Sequence, residues 1–375
     1  MRFRYPVILT SGTPYDRGFQ YGSQAKRQID NTVAAYRTIF QKNVQTNWES
    51  ARKIASGYIP IVESFDPEIM EEIRGIAAGS GYSVEDVMAL NVRTEIMLVA
   101  RAVLSECTAL AATRPATQNG HTLIGQNWDW VPALAESCIL LVVKQPRKPT
   151  VVTFVEAGLV AKVGCNSAGL GLCVNVIVCD RDKTAAGIPV HVMIRRVLDS
   201  STLSEAIDVI THSQRAGSLN YVLAQGDKIV NVEAAAGPPG LIDRQSPESG
   251  ILAHANHFAS PRLSVRDEAL WPDSFQRHSG TMARLDESKG RIDVQTLQRI
   301  LRDHTNFPDS VCRHQNPAQE PERRLETHGS VIMDVSEGVV YFADGRPCER
   351  EYQKFEIAEL FAAEKAGFPM NWLPI

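Results

Sequence analysis

SECTALAATRPATQNGHTLIGQNWDW, residues 105–130, reads as two apolar strands joined by a polar connection, with a cysteine at the first strand position. CTALAAT and HTLIGQN are short and apolar, and Asn119-Gly120 between them is the strongest local hairpin signal in the chain. Cys107 has two readings here. As a small hydrophobe it is simply buried. As the residue that opens a strand after a long helical stretch, it becomes an N-terminus if the chain cuts itself before position 107.

Outward from this stretch, the two sides differ in character. Residues 13 to about 105 read as helical. Thr13 precedes Pro14 as an N-cap, Asp66 precedes Pro67, and Ser83 with Asp86 makes a capping-box pattern. Beyond 107 come CILLVVK, TVVTFVE and LGLCVNVIV, then two helices (IPVHVMIRRVLDS and LSEAIDVITHS). NYVLAQ, KIVNVEA, GILAHANHF, SVIMDV and VVYFAD follow as further strands. Helices, a block of strands, two helices and more strands predict an α+β layered architecture with largely antiparallel sheets. Residues 313–329, RHQNPAQEPERRLETHG, read as a long surface loop.

Bulk properties exclude several classes. The 375 residues are 44% hydrophobic and 22% charged, enough for a full core and without disordered bias. A formal net charge of -4 gives no reason to expect nucleic acid or an anionic membrane surface. The seven cysteines include no C-x-x-C pair, so no zinc ribbon or thioredoxin-type site is signalled, and no metal is expected. Cys138, Cys165, Cys173 and Cys179 lie in strand-like runs, which favours a reducing, cytoplasmic setting. No signal peptide and no membrane-crossing stretch are expected.

Several polar residues stand out. Asp129 lies between two tryptophans, where a carboxylate needs a partner. Lys162–Asn175 frames a tight turn at Asn166-Ser167-Ala168; it lacks the glycine that a G-x-S-x-G elbow requires before Ser167. Asn175 is polar in an apolar strand and must find partners if buried. His254, Asn256 and His257 close another apolar run, and Arg313, Arg323 and Arg324 surround the late loop.

Taken in order, SECTALAATRPATQNGHTLIGQNWDW, TFVEAGLVAKVGCNSAGLGLCVN, GIPVHVMIRRVLDS, AHANHF, DSVCR and VIMD resemble the acyl-coenzyme A:isopenicillin N acyltransferases and their relatives. These are N-terminal-nucleophile (Ntn) hydrolases. The resemblance spans most of the chain, from GTPYDRGFQYG onward. It implies an αββα four-layer sandwich, made as a precursor that cleaves itself at Glu106–Cys107. A helical segment 1–106 and a catalytic segment 107–375 would then stay associated as one globular unit. Glu106 stands where the family often has glycine, and Gln126 where choloylglycine hydrolases carry arginine. By the same resemblance Cys107 is the nucleophile, Asp129 its neighbouring aspartate and Asn256 the oxyanion-hole asparagine. Arg324 best matches the late catalytic arginine, with Arg313 and Arg323 as alternatives; Asn175 and Thr108 are candidate substrate or oxyanion contacts. No cofactor is implied. The partners implied are a small N-acyl substrate, an acyl-coenzyme A donor and further copies of the chain in a homo-oligomer.

The chemistry is self-consistent. A chain-initial cysteine carries a thiol of reference pKa about 8.5 and an amine of about 7.7–8.0, so the amine can take the thiol proton without a histidine. A papain-like alternative uses Cys107 with His254 or His257 and Asn256. A non-processing Ntn-like binding protein is the second alternative. A metal site on HANH with His304 is a third, weaker one.

Overall fold

The computed structural model describes residues 3–100, 102, 107–182, 186–268 and 271–362. Strand β1 (Val7–Thr10) leads into α1 (Pro14–Gln24), α2 (Lys26–Ile39), α3 (Trp48–Ser56), α4 (Ile59–Phe65), α5 (Pro67–Ser80), α6 (Val84–Asn91) and α7 (Arg93–Val99). The starts marked by sequence are capped as expected. Thr13 with Asp16, and Ser83 with Asp86, close reciprocal capping boxes, while the Asp66 carboxylate accepts from two backbone N–H groups of α5. Small residues let α1 and α5 touch backbone to backbone. A Cβ on Gly22 would stand 2.3 Å from the Ile76 carbonyl oxygen, and one on Gly75 2.3 Å from that of Tyr15. Buried Glu72 of α5 then takes Arg17 of α1 at 3.2 Å.

The strands follow as β2 (Cys107–Ala112), β3 (Leu123–Trp130), β4 (Cys138–Val143), β5 (Val151–Glu156), β6 (Val163–Asn166) and β7 (Gly171–Val176). Helices α8 (Val190–Leu198) and α9 (Leu203–His212) precede β8 (Leu219–Gln225), β9 (Lys228–Ala234), β10 (Ile242–Gln245) and β11 (Ile251–His254). Then come α10 (Pro272–Glu287), α11 (Val294–Leu301), β12 (Glu326–Asp334), β13 (Val339–Ala343), β14 (Gln353–Glu356) and α12 (Ile357–Ala362).

Two sheets result, ordered β1-β4-β5-β6-β7-β8-β9-β10 and β11-β2-β3-β12-β13-β14. Every pairing is antiparallel except β1 with β4. Helices α8 and α9 lie on the first sheet, and α10 and α11 on the second. This is the αββα four-layer sandwich that the resemblance implies. The main core fills the space between the sheets and under the N-terminal helices, and a second core lies beneath α10 and α11. Among the described residues, no helix is long and apolar enough to cross a membrane.

Three expectations change, and two helices are added. The N-terminal segment is not purely helical, because β1 joins the first sheet. Pairing of β2 with β3 stops at Ala112–Leu123, so Asn119-Gly120 sits within a longer connection, with Gly120 at φ 76°. Helices α10 and α11 are the additions: α10 holds Ser274, Ser279, Gly280 and Thr281, all modest or poor helix formers, whereas α11 follows an Asp293 N-cap with Val294, Leu297, Ile300 and Leu301 at helical spacing. The 313–329 stretch is not all surface, since Arg313 is buried and β12 begins at Glu326.

Candidate active site

The two-residue period of β2 divides its side chains between the two cores. Cys107, Ala109 and Ala111 face the space between the sheets, whereas Leu110 and Ala112 face α10 and α11. Cys107 is only 1% exposed. On β3, Trp128 and Trp130 likewise point between the sheets, where Lys162 lies 4.2 Å from the Trp128 ring and Arg93 lies 4.6 Å from that of Trp130. Asp129 therefore points the other way. Gln126 bridges the sheets: its carboxamide accepts from Val174 N–H at 2.8 Å and donates to Val174 O at 2.9 Å.

Around Cys107 the backbone is held on both sides. Its N–H donates to Asn256 Oδ1 at 3.1 Å. Arg277 of α10 donates to the Cys107 carbonyl at 2.7 Å, to Thr108 Oγ1 at 2.8 Å and to Asn256 Oδ1 at 3.0 Å. The third guanidinium edge reaches Asp273 at 3.1 Å, one helical turn earlier. Asp273 also accepts from Arg313, whose Nε donates to Asp129 at 3.2 Å and whose Nη1 reaches Asp309 at 2.9 Å. Thr327 Oγ1 donates to the other Asp129 oxygen at 2.7 Å. A relay, buried except at half-buried Asp273, thus runs Asp129–Arg313–Asp273–Arg277 and ends on Cys107 and Asn256. Planar guanidinium forks suit such divergent, fixed hydrogen bonds.

Burial sets the electrostatics. It pushes the Asp129 carboxyl up to about 6, against the pull of Arg313, Arg277 and the Thr327 hydroxyl. Burial opposes ionisation of Asp273 too, but Arg277 and Arg313 outweigh it and hold that carboxyl below the usual range. Arg277 is drawn below its ordinary value by burial and then by Arg313. The raised Asp129 value carries a testable sign. Between the ordinary carboxyl value of about 3.9 and about 6, the folded chain holds a proton that the unfolded chain has released, so this group makes stability fall as pH rises through that window. Asp129→Asn is expected to remove that fall, read by comparing thermal midpoints of the two proteins from about pH 4 to 7. Parallel profiles would mean that Asp129 stays ionised throughout.

Across the gap, Asn175 on β7 lies opposite Asn220 on β8. Asn220 Nδ2 donates to Asn175 Oδ1 at 3.3 Å. That leaves Asn175 Nδ2 and Asn220 Oδ1 buried without a hydrogen-bond partner among the described residues. One donor and one acceptor side by side match the two polar atoms of an amide group, and leaving them buried and unmade is costly.

The structure thus brings together Cys107, Asn256 and, through the relay, Asp129. It does not bring Arg324 to them: that side chain donates to Gln319 O at 2.9 Å and to Pro317 O at 3.3 Å within the surface loop, and Arg323 is exposed. Arg313 makes the Asp129 pair instead, because the chain re-enters the core there before the loop departs. Thr108 lies on the face opposite the Cys107 side chain and serves as an acceptor for Arg277. Asn256 uses Oδ1 on Cys107 N–H and Arg277, while Nδ2 donates to Val176 O at 2.9 Å. Glu106 lies outside the described residues. His254 engages Glu233 through Nε2 at 2.7 Å and Ala255 O through Nδ1 at 2.9 Å. His257 meets Ser274 Oγ at 2.7 Å, and burial with the neighbouring His254 lowers its pKa to about 3. His191 and His328 are buried. Arg277 and Asp273 escape the sequence reading, although an Asp and an Arg four residues apart, following Pro272, are the available signal for a helical ion pair.

Residues 116–347 match the family model of acyl-coenzyme A:6-aminopenicillanic acid acyl-transferase. The chain is 28% identical over 329 residues to the acyl-coenzyme A:6-aminopenicillanic-acid-acyltransferase 40 kDa form of Emericella nidulans, covering 87% of this chain and 89% of that protein. A conjugated bile acid hydrolase variant from Clostridium perfringens superimposes with a TM-score of 0.51 at 15% identity, over 72% of this chain and 99% of that one, and so shares the fold. With a family match over more than half its length, the chain belongs to the acyl-coenzyme A:6-aminopenicillanic acid acyl-transferase family.

Proposed function

We propose that the chain is a precursor that cleaves itself between Glu106 and Cys107, and that the new N-terminal cysteine carries acyl groups through a thioester. The observation behind this reading is the double hold on Cys107, with Asn256 on its nitrogen and Arg277 on its carbonyl, at a strand start that faces the space between the sheets. After cleavage the Cys107 nitrogen is an α-amine, with Asn256 Oδ1 as its acceptor. The amine takes the thiol proton, and sulfur attacks the carbonyl carbon of an N-acyl substrate. Negative charge gathers on the former carbonyl oxygen, where Asn256 and Asn175 are the candidate donors; one such donor typically contributes roughly 3–4 kcal/mol. The ammonium returns its proton to the leaving amine, and water or a second amine resolves the thioester.

Penicillin-like and other N-acylated amino compounds are the substrates proposed, with an acyl-coenzyme A as a second acyl donor. Segment 1–106 stays bound after cleavage because β1 is laddered into the first sheet and Glu72 of α5 accepts Arg195 of α8 at 2.6 Å. In this reading Asp129 acts through Arg313 as a positioning residue.

The papain-like alternative is disfavoured by the commitments of His254 to Glu233 and Ala255 and of His257 to Ser274. The discriminating experiment expresses segment 107–375 with segment 1–106, with and without an extra residue ahead of Cys107, beside a His257→Gln variant of the whole chain. An amine base requires turnover from the unblocked pair and from His257→Gln, and none from the blocked pair. Activity that survives the block and disappears with His257→Gln would establish an imidazole base.

A further inference from the structure

Away from the reacting centre, four side chains from two loops converge. His304, Cys312 and His314 lie on the connection between α11 and β12, and Cys348 lies on the turn after β13. Their ligand atoms all fall within 4.8 Å of one another. Cys312 Sγ is 3.4 Å from Cys348 Sγ, and His314 Nε2 is 3.4 Å from Cys348 Sγ and 4.0 Å from Cys312 Sγ. His304 Nε2 is 3.2 Å from His314 Nε2.

We infer that these four residues form a tetrahedral site for a thiophilic divalent cation of the zinc class. With Zn–S near 2.3 Å and Zn–N near 2.0–2.1 Å, a tetrahedron has edges of roughly 3.8 Å between sulfurs, 3.6 Å from sulfur to nitrogen and 3.3 Å between nitrogens. Each of the four separations above lies within about half an ångström of its edge. The sulfurs are well beyond the roughly 2.05 Å of a disulfide. Two cysteines and two histidines are also the donor set that zinc takes in closed structural sites. Binding releases the two thiol protons and leaves two thiolates and two neutral imidazoles, so the filled site has no net charge. Arg346, 3.5 Å from His314 Nδ1 and paired with Glu349 at 2.8 Å, then faces no like charge.

The loop is already shaped for this. Cys312 N–H donates to Asp303 O, His314 N–H to Pro308 O and Phe307 N–H to His304 O, each at 3.0 Å. The Phe307 ring covers His314 with centroids 5.0 Å apart. Between the two ligands Cys312 and His314 stands Arg313, which holds Asp129 on the other side of the chain. The cation would therefore fasten the segment that positions Arg313 to the Cys348 turn. His304, grouped with the HANH histidines in the sequence, finds its partners here in the DSVCRH segment and the Cys348 turn.

The test uses the purified full chain, reduced and free of chelator, equilibrated with zinc and then desalted. Elemental analysis is expected to find one zinc per chain. Cobalt in its place should give the intense visible bands of a tetrahedral thiolate complex. Cys348→Ser changes an exposed ligand and leaves the core untouched, so loss of zinc in that variant with unchanged circular dichroism locates the site. Zinc at the same level in the wild type and Cys348→Ser would overturn the proposal. So would a metal-free wild type, whether its thiols titrate free or its intact mass shows Cys312 and Cys348 joined as a disulfide.

Discussion

Cys107→Ala is expected to remain a single full-length chain and to lose amide turnover by on the order of 10⁴-fold or more. Both losses have one cause. The same sulfur attacks the preceding peptide carbonyl during maturation and the substrate carbonyl afterwards. The fold should persist, because the side chain sits at the end of a strand whose ladder with β3 is made by backbone groups. Deleting one buried sulfur leaves a small cavity and a stability cost of roughly 1–2 kcal/mol. Electrophoresis, circular dichroism and a turnover assay on one preparation separate these effects. A variant that still cleaves itself and turns over amides would remove Cys107 from the chemistry.

Arg277→Ala carries the second large effect. The change deletes the donor to Cys107 O, Thr108 Oγ1 and Asn256 Oδ1, and takes the Arg277 ion pair away from Asp273. Breaking a buried ion pair from one side typically costs about 3–5 kcal/mol. The reacting groups lose their fixed geometry as well, for which a fall in kcat of about 10²-fold with KM little changed is expected. Arg277→Lys is the informative companion. It restores the charge but not the planar fork that spans three acceptors, so it should recover stability more than kcat. If both recover together, Arg277 holds the fold and does not position the site.

Much of this was legible from residues alone. The helix starts at Thr13, Asp66 and Ser83 announce themselves through local capping chemistry, and β2 through β5 through their apolar runs. Cys107, Asp129 and Asn256 are proposed through the family resemblance that the ordered motifs carry. The arginines do not. Arg313 and Arg324 sit in the same polar, proline-containing stretch, and only the tertiary path shows that Arg313 enters the core while Arg324 remains with Gln319. Arg277 was hidden for a related reason. Its helix contains glycine and serines, and two of its partners, Cys107 and Thr108, lie on a strand more than a hundred residues earlier. Local propensity carries no record of such a contact. The Cys312 and Cys348 pairing is likewise a product of two loops meeting.

In the proposed mechanism the working form begins with Cys107. Intact mass of the wild-type protein, combined with N-terminal sequencing of its larger component, measures this directly. Two polypeptides are expected, the larger starting Cys-Thr-Ala-Leu, co-eluting until denatured. One uncut chain with full amide turnover would contradict the account.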